Sequence, residues 1–371
     1  MAGLYIHIPF CASRCIYCGF YSTTGKENLQ DRYVRAIIEE YNQRKDYLRG
    51  DKIETIYFGG GTPSLLSNQN FRLLGEHINN IECKDIKEFT IECNPNDITP
   101  ALCRSLKDIG VNRVSMGVQT FSNNRLRFLH RRHKSEDIAP AVEMLRDNGI
   151  SNISIDLMFG FPDETLEEWS NDITKALALN VEHISAYSLM YEEGTPLYSM
   201  LKEGLIKENT EGSNADMYEI LIDRLIEAGY DHYEISNFSK SGKASIHNSS
   251  YWNETKYIGL GAAAHSYDGS SRQWNVSDLE RYINGIENHN AKIEIEEIDD
   301  NTRYNDLVTT ALRTKKGINL SNLSKEHYIY IKRNARKSIE NGLLKIDDNH
   351  IHLTRKGLFI SDSIMSDLIF V

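Results

Sequence analysis

Tyr5-Ile6-His7-Ile8-Pro9-Phe10-Cys11-Ala12-Ser13-Arg14-Cys15-Ile16-Tyr17-Cys18 is the stretch from which the rest of the chain is read. Leu4 to Ile8 is a short, largely β-branched run that reads as a strand, and the cysteines follow in the loop beyond it with the spacing C-x3-C-x2-C. Four thiolates close a [4Fe-4S] cluster or a zinc site, so three from one short loop either borrow a fourth ligand or leave a metal corner open. The plainer alternative is a structural zinc with a distant fourth ligand such as Cys83, Cys93, Cys103 or a histidine. Those three other cysteines are ten residues apart, which suits no ligand spacing and reads as small core residues.

The strand-then-loop theme recurs along the first half. Ile53–Phe58, Phe89–Cys93, Arg113–Val118, Ile153–Met158 and His183–Tyr187 are further apolar or β-branched runs separated by helix-length sequence. Leu29, Tyr33, Ile37 and Tyr41 recur at helical spacing, a second helix opens near Ser67, and a third has Thr99 as N-cap, Pro100 at its first position and Gly110 past its end. Six β/α units in succession imply a parallel sheet, because parallel strands need crossover connections. Cys11, Gly60, Glu92, Gln119 and Asp156 fall at or just past the C-terminal ends of successive strands, where such sheets place their ligands. The expected fold is therefore α/β, a partial (β/α)6 barrel over residues 1–200. Residues 201–300 read as a helical and loop extension. Residues 301–371 read as a small α+β unit with a hairpin, Leu343–Ile346 and Ile351–Thr354, in a winged-helix-like arrangement.

Composition narrows the class. The 371 residues are 40% hydrophobic and 26% charged, which is ordinary for a globular protein of about two domains. Lys+Arg 42 against Asp+Glu 53 gives a net charge of -11, which argues against nucleic acid as a partner over most of the surface. The basic helix carrying Lys332, Arg333, Arg336 and Lys337 is better read as a docking surface than as a DNA reader. No secretory signal and no transmembrane segment are read from the sequence, so a cytoplasmic protein with reduced thiols is expected.

The triplet resembles the signature of the radical S-adenosylmethionine superfamily, and Phe58-Gly59-Gly60-Gly61-Thr62-Pro63 looks like its glycine-rich partner. Nearly the whole chain is similar to the family that joins oxygen-independent coproporphyrinogen III oxidase with a haem chaperone. The resemblance is carried by Tyr5–Cys11, Ile91-Glu92-Cys93-Asn94-Pro95, Ser115–Gln119 and Asp156-Leu157-Met158-Phe159-Gly160-Phe161-Pro162. It implies a [4Fe-4S] cluster on Cys11, Cys15 and Cys18 whose open iron takes S-adenosyl-L-methionine. It also implies that Tyr5, Tyr17, Gly60, Gly61, Thr62, Glu92, Gln119, Arg131, Asp156 and Met190 stand at S-adenosylmethionine-binding positions. Backbone N–H groups of Gly60, Gly61 and Thr62 are expected to meet the methionine carboxylate, and Glu92 and Gln119 its amine or ribose.

Two departures favour the chaperone branch. The oxidase has another cysteine two residues after its triplet where this chain reads Cys18-Gly19-Phe20, and it has an N-terminal extension, whereas only four residues precede Tyr5 here. His247-Asn248-Ser249-Ser250-Tyr251-Trp252 matches the chaperone motif H-N-x-x-Y-W, which implies haem-iron ligation by His247. The implied partners are haem, haem-accepting proteins, an electron donor and a second copy in a homodimer. Arg131, Arg132, His133 and Lys134 are the expected cations for porphyrin propionates, and His265, in Tyr257–Ser266, is placed facing the site. The alternatives are the oxidase itself, which turns porphyrin propionates into vinyl groups, and a radical enzyme with an unrelated substrate.

Overall fold

A computed structural model describes residues 2–80 and 85–371, so Cys83 lies outside the described residues. The strands β1 (Ala2–Ile8), β2 (Ile53–Gly60), β3 (Glu88–Cys93), β4 (Arg113–Gln119), β5 (Asn152–Phe159) and β6 (His183–Ser188) lie side by side in chain order, each pair parallel. The helices α1 (Gln30–Arg44), α2 (Asn68–Asn80), α3 (Pro100–Asp108), α4 (Asn123–Phe128), α5 (Ile138–Asp147) and α6 (Leu166–Ala178) supply the crossovers. Thr99 caps α3 by accepting from the Leu102 N–H at 3.1 Å, and Gly110 follows its end with φ +90.

Alternation along each strand separates two faces. Leu4, Ile6 and Ile8 of β1, Ile56 and Phe58 of β2, Val114, Met116 and Val118 of β4, and Ile153, Ile155 and Leu157 of β5 are buried in one core with Tyr33 and Ile37 of α1, Leu106 of α3 and Trp169 of α6. The residues between them are polar or small: Tyr5 and His7, Thr55 and Tyr57, Thr90 and Glu92, Arg113 and Ser115, Ser154 and Asp156, His183 and Ser185. At roughly 1.5–3 kcal/mol per fully buried aliphatic side chain, the apolar face holds the helices on. The polar face lines the inside of the arc.

Residues 201–300 hold more than helices and loops. Strands β7 (Asp231–Glu234) and β8 (Asn237–Ser239) add antiparallel to β6, while β9 (Tyr257–Leu260) pairs parallel with β1 and leads to β10 (His265–Tyr267), β11 (Ser271–Asn275) and β12 (Ile293–Glu297). The result is a 12-stranded sheet with the six parallel strands at its centre, open because β1 and β6 each take another neighbour. Glu40 of α1, fully buried, fastens the β9 side: it accepts from Arg44 Nη1 at 2.7 Å, Gly261 N at 2.9 Å, Asn275 Nδ2 at 2.7 Å and Tyr282 Oη at 2.6 Å.

The C-terminal residues build their own core from Tyr304, Val308, Ile331, Leu344, Ile351 and Ile364. Its sheet has the order β13 (Ile318–Asn319), β15 (His350–Leu353), β14 (Leu344–Asp347). Asp348 (φ 44) and Asn349 (φ 59) make the tight turn of the β14–β15 hairpin, a left-handed pair that Asp and Asn tolerate.

Candidate functional site

A cavity of about 640 Å³ opens at the C-terminal ends of the central strands. Cys11, Cys15, Cys18, Tyr17, Gly60, Gly61, Thr62, Glu92, Gln119, Arg131, Asp156 and Met190 all line it. Tyr5 and His247 do not. Tyr5 lies half-buried beside Tyr57 of the cavity lining, stacked on it at 6.1 Å with its hydroxyl 3.0 Å from His7 Nδ1.

The cysteine loop leaves β1 and is closed on itself by Cys11 N–H donating to Thr23 O at 2.8 Å and Thr23 N–H to Pro9 O at 2.6 Å. Thr62 Oγ1 donates toward Cys11 Sγ at 3.5 Å and Arg131 Nη1 toward Cys15 Sγ at 3.6 Å. Burial pushes the thiols of Cys11 and Cys18 up, and the Thr62 hydroxyl pulls Cys11 back. Donors aimed at sulfur favour thiolates, the form that binds metal. Among the described residues, no three His, Cys, Asp or Glu side chains are gathered to hold a single metal ion.

The glycines work differently from the expectation. All three N–H groups assigned to a ligand carboxylate are engaged within the protein: Gly60 N donates to Glu92 Oε2 at 3.1 Å, Gly61 N to Ile8 O and Thr62 N to Phe10 O, each at 2.8 Å. Their use is close approach. A Cβ on Gly60, whose φ is +113, would lie 2.6 Å from the His7 ring, and one on Gly61 would lie 2.8 Å from the Pro9 carbonyl carbon and 3.0 Å from Cys11 Sγ.

Glu92 is fixed by Gly60 N and by Tyr57 Oη, which donates to Oε1 at 2.8 Å. Burial raises its carboxyl to about 7 despite these two bonds. Asp156 is also raised by burial, while hydrogen bonds from Ser185 and Ser115 and the charge of Arg113 draw it down. Gln119 reaches the cavity because the β4–β5 register shifts between Gly117 and Gln119, and its backbone takes φ +67. Arg131 Nη2 donates to Gly117 O at 2.6 Å and to Asn94 Oδ1, and its Nε is buried without a partner in the protein.

The basic run splits up. Arg132 pairs with Asp97 at 2.8 Å, His133 is buried with Nε2 3.1 Å from Val118 O, and of the four only Arg131 and Arg132 line the cavity. His265 stacks on Trp274 at 5.7 Å and is absent from the cavity lining. His247 is 1% exposed, with Nδ1 2.9 Å from Thr55 Oγ1 and Nε2 3.0 Å from Tyr251 Oη. Tyr57, Ser115, Ser185 and Asn94, which the sequence reading passed over, complete the polar wall. The signal for Tyr57, Ser115 and Ser185 was the alternation of polar and apolar residues along β2, β4 and β6, and for Asn94 its place just past the end of β3.

Comparison with known proteins agrees with this geometry. The Radical SAM superfamily model matches residues 5–176 and the HemN C-terminal domain model residues 298–360. The haem chaperone HemW of Lactococcus lactis is 34% identical over 365 residues, covering 97% of this chain and 95% of its own. The chain belongs to the HemW family of radical SAM proteins. HemW of Bacillus subtilis is 39% identical over 288 residues, 77% of this chain and 76% of that protein. The structure of Escherichia coli coproporphyrinogen III oxidase matches with a TM-score of 0.85 at 21% identity, covering 99% of this chain and 90% of that one, which establishes the shared fold.

Membership in the radical SAM superfamily implies a [4Fe-4S] cluster and S-adenosylmethionine. The residues present fit both: three cysteines on one cavity wall with donors at sulfur, a backbone that leaves no room for a Cβ beside Cys11, and a buried guanidinium with one N–H unpaired. When bound, the cluster supplies the electron that cleaves the sulfonium of S-adenosylmethionine. Among the described residues, no helix is long and apolar enough to cross a membrane.

Proposed function

We propose that this chain is a cytoplasmic haem chaperone that binds haem and delivers it to haem-requiring proteins. The observation that carries this reading is the likeness to HemW of L. lactis along almost the whole of both chains. Cys11, Cys15 and Cys18 hold the [4Fe-4S] cluster. Glu92 and Gln119 receive the amine and ribose of S-adenosylmethionine, with Tyr17, Thr62, Asp156 and Met190 around it, and Arg131 sets the charge beside Cys15. Tyr5 supports the pocket from behind. An electron donor and a homodimer partner belong to the same reading.

His247 is the haem ligand in this proposal. Both of its ring nitrogens are hydrogen-bonded in the closed form, so ligation requires the short helix Ile246–Ser250 to move and the Tyr251 hydroxyl to give up Nε2. The test is a haem titration of the anaerobically reconstituted protein beside an assay of coproporphyrinogen turnover. A haem absorption band that weakens in His247→Ala is expected, with no protoporphyrinogen formed. Turnover at enzyme-like rates would overturn the chaperone reading. Cys15→Ala is expected to abolish iron content and S-adenosylmethionine cleavage together, and zinc retained in stoichiometric amount would overturn the cluster assignment.

A further inference from the structure

His247 belongs to the interior of the arc, and it is joined to the cavity by a short chain of contacts. Its ring stacks on Tyr57 with centroids 5.2 Å apart and planes 29° from parallel. The Tyr57 hydroxyl donates to Glu92 Oε1 at 2.8 Å, and Glu92 Oε2 accepts from Gly60 N at 3.1 Å. The far side of His247 is closed by Gly3, where a Cβ would stand 3.1 Å from Cε1, and by the edge of Tyr251 at 5.4 Å. The helix that carries it is anchored to β3: Glu88 accepts from Ser245 Oγ at 3.1 Å, Ile246 N at 2.8 Å and His247 N at 2.9 Å. The next residue, Asn248, lines the cavity. The imidazole is closely packed, so its departure leaves a void against the Tyr57 ring, which keeps the Tyr5 ring at 6.1 Å as a stacking partner.

We propose that His247 is a positioning residue for the S-adenosylmethionine pocket, acting through Tyr57 on Glu92, and that haem ligation by His247 and S-adenosylmethionine binding therefore oppose one another. The opposition rests on the reading of His247 as the haem ligand; the positioning role does not. Drawing the imidazole out to an iron removes one of the two rings stacked on Tyr57 and loosens its orientation, so the hydroxyl that fixes Glu92 Oε1 is held less firmly. A coupling of this kind is reciprocal: haem must weaken S-adenosylmethionine by the same factor as S-adenosylmethionine weakens haem. Release of haem to a partner would restore the pocket, so the state of the chaperone is registered at the radical site.

The experiment is equilibrium dialysis of S-adenosylmethionine against the full-length, cluster-reconstituted protein, with and without haem. His247→Ala is expected to raise the Kd about tenfold, within the usual range of couplings between sites. Tyr57→Phe, which keeps the ring and removes the hydroxyl, should do the same, and the double variant should bind no more weakly than Tyr57→Phe alone. His247→Phe keeps a flat ring against Tyr57, though a larger one that leaves the Thr55 and Tyr251 hydroxyls without a ring nitrogen, so it should lose the haem band yet bind S-adenosylmethionine more tightly than His247→Ala; Tyr57→Phe carries the test if His247→Ala fails to fold. An unchanged Kd in folded His247→Ala, or additive losses in the double variant, would overturn the positioning role. Haem that binds without changing the S-adenosylmethionine Kd would overturn the opposition. A protein that takes up no haem at all would sink the chaperone reading while leaving the Tyr57 and His247 arms to decide the positioning role on their own.

Discussion

Arg131 bridges the cysteine loop and β4, with Nη1 3.6 Å from Cys15 Sγ and Nη2 2.6 Å from Gly117 O. If Cys15 holds the proposed cluster, a half-buried cation beside it stabilises the more negative, reduced form. Arg131→Met is therefore expected to lower the reduction potential in an EPR-monitored redox titration. It should also destabilise the protein by about 1 kcal/mol, because the half-buried Gly117 O loses its donor. An unchanged potential would remove Arg131 from the electronic environment of the cluster.

Glu92 predicts a pH dependence. Burial raises its carboxyl to about 7, so in the free protein the proton is lost only near neutrality, and an ammonium placed beside it favours the ionised form. S-Adenosylmethionine binding should tighten as pH rises from 6 to 8 and should release a proton. Glu92→Gln should flatten that profile and weaken binding at pH 8 on the order of tenfold, from loss of a charge-assisted hydrogen bond. The sign for stability is opposite: the folded state holds this proton more tightly than the unfolded chain, so the contribution is present below the unfolded value and lost as pH rises through about 7. Without ligand, Glu92→Gln should melt higher than the parent protein at pH 8. Parallel pH profiles for the two proteins would contradict the assignment.

Gly60→Ala combines a left-handed backbone with a steric conflict. With φ at +113 and the His7 ring 2.6 Å from the added carbon, the ring has to move, yet it is held 3.0 Å from both Tyr5 Oη and Tyr21 O. The expected loss is more than about 1 kcal/mol in urea unfolding, together with weaker S-adenosylmethionine binding as the shifted backbone carries the residue-60 N–H away from Glu92. A variant with parental stability would show that the glycine is dispensable.

Glu40→Ala tests the far side of the sheet. Removing this fully buried carboxylate takes the acceptor from Tyr282 Oη and Gly261 N and the counter-charge from Arg44, which keeps Gly259 O and Ser266 Oγ as partners. Breaking a buried ion pair from one side costs about 3–5 kcal/mol. The midpoint of urea unfolding should drop accordingly, and a shift equivalent to less than about 1 kcal/mol would mean that the site repacks or hydrates.

The six central strands were legible because each pairs an apolar outer face with helix signals on either side, and Thr99, Pro100 and Gly110 marked α3 correctly. The cysteine loop and the residues at the strand ends were legible for a related reason: chemistry concentrated at one end of a parallel sheet. The strands β11, Ser-Arg-Gln-Trp-Asn, and β12, Ile-Glu-Ile-Glu-Glu, were not, since β12 is an exposed edge strand and β11 beside it is polar and mostly half-buried, so neither has an apolar core face. The environment of His247 was equally hidden. Its motif names a donor atom, but only the pairing of β1, β2 and the helix Ile246–Ser250 shows that Thr55 and Tyr251 already occupy both nitrogens.

The pairing of β1 with β9 sets a clock on biosynthesis. Leu4 lies opposite Ile258, a partner that leaves the ribosome about 250 residues after it. At roughly 5–20 residues per second, this edge of β1 stays open for on the order of 10–50 s beside the three thiols of the loop. The nascent chain therefore carries its cysteine loop next to a strand paired on the β2 side alone for most of translation, with the other edge open to pairing with other chains. The loop is flanked on both sides only once residues 257–260 have been made and paired with β1.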